Sequence, residues 1–316
     1  MDFSILVSDF WGLTFDGIVV GSIFALIALG YTMVYGVLRL INFAHSEIFM
    51  MGTFASLGVV LMLGFTGYED TLPLGKFFLV FTLVLLVSAI VSGSSAMLLE
   101  RVAYRRLRRK GANRLSSLIS AIGASLFLTE VFRIITGSLD WDFPRLISKD
   151  PFLTLGSAYI SPDKVFVLLG ATITMIILDR MINKTKLGLG IRAVSQDEKT
   201  AILMGVDVDK VVSLTFLIGG ILAGVAGSFY VLFYESTKFN AGFLMGISAF
   251  TAAVLGGIGN VRGALFGAFA LGIGQQYASA VLGYNWKDVF TYIVLVLVLL
   301  VKPTGLLGEA LQKARV

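Results

Sequence analysis

Long apolar stretches alternate with short polar segments along the whole chain. The apolar stretches lie at 14–38, 43–65, 76–99, 115–137, 163–182, 209–234, 243–259, 263–283 and 288–302. A helix that crosses a bilayer needs about 20 residues, so most stretches are long enough, while 243–259 is short. The pattern predicts an all-α polytopic transmembrane helix bundle of about eight spans, with seven to nine allowed. The same pattern is compatible with broken or re-entrant segments. The whole chain, residues 1–316, is expected to form one transmembrane domain.

Lysine and arginine positions predict the orientation of this bundle. Lysine and arginine are concentrated in a basic loop at 100–114 and in the segment 180–199, so both are expected in the cytoplasm. The C-terminal cations fit the same side: Lys302, Lys313 and Arg315. The N-terminus carries three acidic residues, Asp2, Asp9 and Asp16, and is expected on the outer side of the membrane. The loop 138–162, which carries charges of both signs, is expected on the same side. An outside N-terminus and an inside C-terminus require an odd number of crossings.

Glycines recur at a spacing of four residues in several apolar stretches. The pairs are Gly17 and Gly21, Gly220 and Gly224, Gly242 and Gly246, and Gly263 and Gly267. Small residues at this spacing let two helix backbones approach closely in lipid, where no hydrophobic effect drives helices together. We therefore expect these pairs to lie at helix contacts.

Composition narrows the classes of function. Hydrophobic residues make up 57% of the chain and charged residues 14%, and the mean hydropathy is +0.89, so the lipid bilayer is the expected solvent. There is no cysteine and only one histidine, which excludes thiol chemistry and metal sites built from several histidines. No nucleotide-binding glycine motif is present. We expect a non-enzymatic chain with no cofactor, no metal and no nucleic-acid partner, because its positive charge lies in the orientation loops.

Charged residues near the ends of the apolar stretches offer little for ion coupling. Glu100, Glu130 with Arg133, and Glu235 all lie near such ends and are expected to form interfacial ion pairs. Glu130 and Arg133 are spaced i, i+3 and can pair on one helix. A proton or sodium relay stays open but has no clear carrier.

The stretch "LINFAHSEIFMMG" at 40–52 places polar residues inside an apolar region. On a helix, Asn42, Ser46, Thr53 and Ser56 share one face, which we call the polar stripe, while Glu47 points away from it. Such a stripe should face protein or a water-filled cavity and not lipid. Two interpretations stay open: a helix that lines a substrate pathway and has an uncoiled start, or a cytoplasmic turn in which Asn42 caps the next helix.

The longest polar interruption on the expected cytoplasmic side is 184–216. Within it, 195–204 reads as a short amphipathic helix with Asp197 and Glu198 in its first turn. Its apolar side and its end are formed by Ala201, Ile202, Met204 and Gly205. A helix of this kind can dock into a groove on another protein or rest on lipid headgroups. Its acidic balance favours docking.

The core "GGIGNVRG" lies between two short apolar stretches. Gly257, Gly259 and Asn260 interrupt the apolar pattern there, with Arg262 next to them. Irregular backbone at membrane depth is tolerated only where it is buried in protein or lines a cavity, so these three residues are candidates for the substrate pathway. A tight cytoplasmic hairpin with Arg262 at the interface is the alternative.

Four stretches resemble one family in the same order along the chain: "GSIFALIALGYTMVYGVLRLINFAHSEIFMMGTF", "RAVSQDEKTAILMGVDVDKVVSLTF", "AAVLGGIGNVRGALFGA" and "LVLLVKPTGLLGE". They are similar to the permeases of high-affinity branched-chain amino acid ABC importers, specifically the smaller, H-type subunit. The related permeases for urea and short-chain amides share much of the pattern, so the substrate stays open between them. Two alternatives lie outside the ABC importers: a gradient-driven carrier or channel, and a membrane scaffold that transports nothing.

The resemblance implies a set of partners and a location. It implies a second permease subunit, two cytoplasmic ATPase subunits and an external solute-binding protein, assembled in the inner membrane of a bacterium. It also implies that the loop 184–208 couples the chain to the ATPases. The general importer motif there is Glu-Ala-Ala, three residues, then Gly, and only Ala201 and Gly205 match it in this chain. The coupling residues implied are Asp197, Glu198, Ala201 and Gly205.

Overall fold

The protein folds as an all-α bundle in a computed structural model that describes residues 4–67 and 71–308. Of the residues used above, Asp2, Lys313 and Arg315 lie outside this range. The helices are α1 (Ile5–Ser8), α2 (Phe10–Leu38), α3 (His45–Met62), α4 (Leu74–Leu99), α5 (Arg105–Arg109), α6 (Arg114–Thr136), α7 (Pro162–Lys184), α8 (Lys186–Gln196), α9 (Glu198–Leu203), α10 (Val208–Tyr234), α11 (Ala241–Gly256), α12 (Val261–Leu282) and α13 (Lys287–Val301). The predicted fold class is confirmed.

Eight helices in the described residues are long and apolar enough to cross a membrane. They are α2, α3, α4 with its extension to Arg109, α6, α7, α10, α12, and α13 with the 3₁₀ turn Tyr284–Trp286 before it. The predicted number of spans is confirmed. Helix α11 has 16 residues and is about 24 Å long, short of the roughly 30 Å hydrocarbon core. The orientation expected from the charges needs an odd number of crossings, so a ninth, short passage by α11 stays a prediction.

Helix α2 forms the centre of the bundle and is buried along most of its length. It packs against α12, where a Cβ on Gly17 would lie 2.5 Å from Cα of Ile273. A Cβ on Gly220 of α10 would lie 2.6 Å from Cβ of Ala96 on α4. All eight glycines of the predicted pairs meet a neighbouring segment in this way, so their packing role is confirmed.

Gly220→Leu should destabilise the bundle because the added side chain has no room between α10 and α4. Overpacking of this kind costs about 1–3 kcal/mol, and backbone contacts on both sides place the cost at the upper end. Gly123→Leu is the matched control, since a Cβ on Gly123 of α6 meets nothing within 4 Å. The measurement is the thermal unfolding midpoint of each purified variant in detergent; equal midpoints would contradict the packing argument.

The basic segment 100–114 is helical over most of its length, so its description as a loop is wrong. A π turn at Glu100–Tyr104 joins α4 to α5 and keeps both of its end residues buried. The Glu100 carboxylate accepts hydrogen bonds from Arg105 at 2.8 Å and from Arg108 at 3.4 Å. Arg108 also pairs with Asp209 at the start of α10. The expected ion pair at Glu100 is confirmed, and the neighbouring pair of Arg108 with Asp209 joins α5 to α10.

Short strands, which the sequence pattern does not predict, occupy part of the outer loops. Strand β1 (Trp141–Asp142) pairs antiparallel with β4 (Ser236–Thr237), and β2 (Leu153–Leu155) pairs with β3 (Ala158–Ile160). The predicted pair of Glu130 with Arg133 is confirmed at 2.7 Å. Glu235 accepts from Arg145 at 2.9 Å and lies 3.1 Å from Lys149, so its predicted ion pairing is also confirmed.

The Glu235 cluster should make the stability of the outer loops depend on pH. Partial burial raises the pKa of the Glu235 carboxyl, but the hydrogen bonds from Arg145 and Lys149 outweigh burial and hold the pKa below its ordinary value of 4.5. A lowered folded pKa gives stability that is complete above the unfolded pKa and is lost as the pH falls through the folded pKa. Glu235→Gln should therefore cost up to about 1 kcal/mol of unfolding free energy at neutral pH.

Thermal unfolding of wild type and Glu235→Gln at neutral pH and at about pH 3 measures this effect. The two proteins should differ at neutral pH and converge in acid. Glu130→Gln is the control, because its exposed pair with Arg133 is expected to contribute less. A difference between wild type and Glu235→Gln that does not change with pH would contradict the ion-pair account.

Candidate translocation and coupling sites

The chain returns into the bundle between α2 and α3 and leaves the helix to do so. Arg39 ends α2 with a φ of 55°, and residues 40–44 are not helical. The ring of His45, the first residue of α3, lies against Gly30, so α3 starts about 12 Å before the cytoplasmic end of α2. Asn42 is buried, and its Oδ1 accepts from the Tyr104 hydroxyl at 2.8 Å. Helix α3 has no side-chain cap, so Asn42 bonds to a distant helix rather than capping α3.

The polar stripe of α3 faces protein, as predicted, and not lipid. Ser46 donates to the Phe43 carbonyl at 2.7 Å. The Thr53 hydroxyl lies 2.6 Å from that of Thr237 in β4, and the Ser56 hydroxyl lies 2.9 Å from that of Ser228 in α10. Thr53 and Ser56 are fully buried. These hydroxyl pairs join α3 to two partners that lie 172 and 184 residues further along the chain.

Glu47 is a buried carboxylate whose environment the sequence analysis did not predict. One of its oxygens accepts from the hydroxyls of Ser46 and Ser125, both at 3.2 Å. The other oxygen lies beside Gly242 and has no hydrogen-bond partner in the described residues. The Glu47 side chain points away from the polar stripe, as predicted, and contacts α6. The spacing of Ser125 and Thr129 on α6 is the sequence signal that could have indicated a polar partner there.

The segment 257–260 forms a tight hairpin between α11 and α12. Gly257 and Gly259 have φ of 112° and 95°, values that favour glycine. The Asn260 side chain accepts from the backbone N–H groups of Arg262 and Gly263 at 3.0 and 3.1 Å and donates to the Leu307 carbonyl at 2.8 Å. The hairpin interpretation is therefore confirmed, and it coexists with a cavity next to it.

Two cavities open at opposite ends of the bundle. The inner cavity has a volume of about 580 Å³ and is lined by Tyr35, Arg39, Arg192, Gly259 and Asn260, among others. The outer cavity has a volume of about 320 Å³ and is lined by Tyr230, Tyr234, Thr237, Ser248, Gln275 and Lys287, among others. Phe250 lies between the two on α11, with its ring 6.1 Å from those of Tyr31 and Phe43. The three aromatic side chains thus pack together where α2, α11 and the segment before α3 meet.

Helix α9 is the short helix predicted in this polar segment, and it is preceded by α8. The Asp197 side chain accepts from the Thr200 hydroxyl and from the Lys199 N–H at 3.0 Å, and these bonds hold the pKa of its carboxyl below the ordinary range. Glu198 is the first residue of α9, and Gly205, with a φ of 82°, follows its end. The predicted end at Gly205 is confirmed, but the predicted start is wrong: Ser195 and Gln196 belong to the end of α8, and Asp197 caps α9 from an extended conformation instead of lying in its first turn.

The apolar surface of α9 differs from the predicted one. Ala201 faces the bundle and is buried, so it is not part of an outward face. Leu203, which the prediction omitted, is 85% exposed, and Ile202 and Met204 are also largely exposed. The end of this six-residue helix therefore projects three consecutive apolar side chains away from the bundle. These side chains, Ile202, Leu203 and Met204, are here called the α9 tip.

Arg39 connects this cytoplasmic region to the start of α3. Its guanidinium donates to the Ser195 carbonyl at the end of α8, at 2.6 Å. Ser195 lies two residues before the cap of α9, and Arg39 lies at the start of the non-helical segment that leads to α3. One hydrogen bond thus connects the end of α8 to the segment that leads into α3.

Comparison with known proteins agrees with this arrangement. The model of the family described as branched-chain amino acid transport system / permease component matches residues 13–299. The high-affinity branched-chain amino acid transport system permease protein LivH of Salmonella typhimurium is 38% identical, over 93% of this chain and 94% of its own length. The permease protein BraD of the corresponding system of Pseudomonas aeruginosa gives the same identity and coverage.

A more distant similarity reaches sugar permeases. The ribose import permease protein RbsC of Haemophilus influenzae is 26% identical over 62% of this chain and 58% of its own length. The architecture is thus compatible with more than one class of substrate, whereas the family model and the two relatives at 38% identity span nearly the whole chain. The protein is a multi-pass membrane protein, and it belongs to the family of branched-chain amino acid transport system permease components.

Proposed function

We propose that the chain is a permease subunit of an ATP-driven importer for branched-chain amino acids in the inner membrane of a bacterial cell. Support for this substrate comes from two relatives named as branched-chain amino acid permeases, each 38% identical over 93% of the chain. The chain itself contributes a passage and no ATP chemistry. ATP hydrolysis belongs to two cytoplasmic ATPase subunits, and delivery of the substrate belongs to an external solute-binding protein. A second permease subunit completes the passage.

The observation that carries the ATP-driven mechanism is the α9 tip. Three exposed apolar side chains project from a short helix on the cytoplasmic side, anchored to the bundle through buried Ala201. An exposed apolar group on a short helix fits a hydrophobic groove of a partner protein. In this proposal Asp197, Glu198, Ala201 and Gly205 set the shape of the docking helix, and the α9 tip enters the ATPase.

The substrate passage in this proposal follows the polar stripe. Asn42, Ser46, Thr53 and Ser56 form one wall of it when the bundle opens. Gly257, Gly259 and Asn260 form its cytoplasmic end, and the last two line the inner cavity in the present closed state. Closure of the ATPase pair would displace α9, and the bond from Arg39 to Ser195 would carry that displacement to the start of α3.

Reconstitution in proteoliposomes tests the proposed function. The full set of permease, ATPase and binding-protein subunits should take up leucine, isoleucine and valine, and these amino acids should stimulate ATP hydrolysis. Stimulation by urea or acetamide instead would identify the amide-permease alternative. Uptake by this chain alone, driven by an ion gradient, would identify a secondary carrier. An absence of substrate-linked activity with all partners present would leave a scaffold role.

A further inference from the structure

Lys287 is a buried cation at the outer end of the bundle. It begins α13 and is only 8% exposed, although lysine is seldom buried without a charged partner. Its ammonium donates to the Tyr234 hydroxyl at 3.2 Å and lies 5.6 and 5.8 Å from the ring centres of Tyr234 and Tyr284. Within residues 4–67 and 71–308, this ammonium forms no ion pair with a carboxylate. An anion is therefore the missing partner.

The outer cavity gives such an anion access to Lys287. Lys287 and Tyr234 line it together with Leu244 and Met245, two apolar side chains of α11. Its volume of about 320 Å³ is at the lower end of the range of small-molecule sites. The half-buried Asp288 also lines it, so groups of both signs and an apolar surface share one small space.

Gln275 supplies a second, independent indication of a polar ligand. It lines the same cavity, is 1% exposed, and donates from Nε2 to the hydroxyls of Ser248 and Thr291. Its Oε1 has no hydrogen-bond partner among the residues that the structure describes, and buried acceptors in proteins are almost always satisfied. A ligand that donates hydrogen bonds would satisfy this oxygen.

We propose that the outer cavity is a binding site for one α-amino acid within this subunit. The carboxylate binds the Lys287 ammonium and the Tyr234 hydroxyl. The α-ammonium donates toward the Gln275 carbonyl and is balanced by Asp288. Leu244 and Met245 contact an apolar side chain. The substrate class rests on the proposed function. The recessed position of Lys287 in so small a cavity favours a free amino acid over an acidic side chain of an external protein.

Protection of an engineered cysteine tests this site without relying on transport. The native chain contains no cysteine, so Asn285→Cys places a single thiol at the cavity wall. The assembled importer in nanodiscs, without the binding protein, is treated with a water-soluble thiol reagent. Leucine should slow the reaction, and leucinol, which lacks the carboxylate, should not. Adding Lys287→Met should raise the leucine concentration for half protection by about tenfold or more, because a charge-assisted hydrogen bond is lost.

Two further variants separate binding from folding. Lys287→Arg keeps the cation and should bind leucine within about threefold of the parent. Lys76→Met removes an exposed lysine at the outer end of α4, away from the cavity, and should leave protection unchanged. Equal protection by leucinol, or unchanged protection in Lys287→Met, would overturn the site. Protection that needs the binding protein and is independent of leucine would overturn it as well.

Leucine uptake is measured in proteoliposomes with the importer that carries Asn285→Cys and no other substitution. This measurement separates the binding site from the proposed function. Leucine uptake without leucine protection at Asn285→Cys would reject the site and leave the proposed function standing. Leucine-specific protection without uptake would reject the proposed function and keep the site.

Discussion

Leu203→Asp is expected to abolish ATP-driven uptake while the chain still folds and inserts. The Leu203 side chain is 85% exposed, so the bundle loses no packing when it is replaced. In the docked complex the new carboxylate would be buried against an apolar groove without a partner. Such a change at the centre of an interface costs at least about 2 kcal/mol, which weakens docking roughly thirtyfold. Co-purification of the ATPase subunits and leucine-stimulated ATP hydrolysis measure the loss.

Leu203→Met is the matched control, because it keeps an apolar side chain of similar volume and should preserve uptake. Gly205→Ile should act in the same direction as the aspartate variant, because a β-branched residue is strained at the φ of 82° that ends α9. Normal uptake by both Leu203→Asp and Gly205→Ile would remove α9 from the coupling mechanism.

Cysteines on the polar stripe are expected to become reactive only when the importer works. Thr53→Cys and Ser56→Cys replace fully buried residues and should be protected from water-soluble thiol reagents at rest. Asn260→Cys lines the inner cavity and should react at rest from the cytoplasmic side. If the open state is about 0.1–10% populated at rest, turnover should accelerate the reaction at Thr53→Cys roughly ten- to a thousandfold. The rate of labelling with and without ATP measures this acceleration.

Thr215→Cys provides the control for the labelling experiment. Thr215 is as buried as Thr53, but among the described residues its hydroxyl bonds only within α10, to the Val211 carbonyl, so it should stay protected in every state. Complete protection of Thr53→Cys and Ser56→Cys throughout turnover would place the substrate passage elsewhere. Equal acceleration at Thr215→Cys would indicate general loosening of the bundle rather than a passage.

The helix bounds could be predicted closely because they depend on local sequence. The stretch predicted at 209–234 is α10 from Val208 to Tyr234, and the one predicted at 263–283 is α12 from Val261 to Leu282. In lipid, every backbone polar group must bond within its own helix, so an apolar run of sufficient length defines a span by itself. The glycine pairs were predictable for a related reason, since their spacing follows directly from the helical repeat.

The polar contacts could not be predicted because their partners are distant in sequence. The sequence pattern identified Thr53 and Ser56 as facing protein, but only the fold brings Thr237 and Ser228 to them. It left Asn42 open between a pathway residue and a helix cap, and the fold excludes the cap by bonding the Asn42 side chain to Tyr104. The burial of Glu47 and of Lys287 was not predicted, because nothing near either residue in the chain indicates it.

The sequence by itself therefore determined that this protein is a multi-pass helical bundle, where most of its membrane-length helices begin and end, and to which family it is similar. Those properties depend on the length and composition of continuous segments in lipid. Only the tertiary structure decided which apolar residues of α9 project outward, how the segment before α3 returns into the bundle, and which polar groups share a cavity. Those properties depend on the relative register of helices that are far apart in the chain, and local composition carries little information about it.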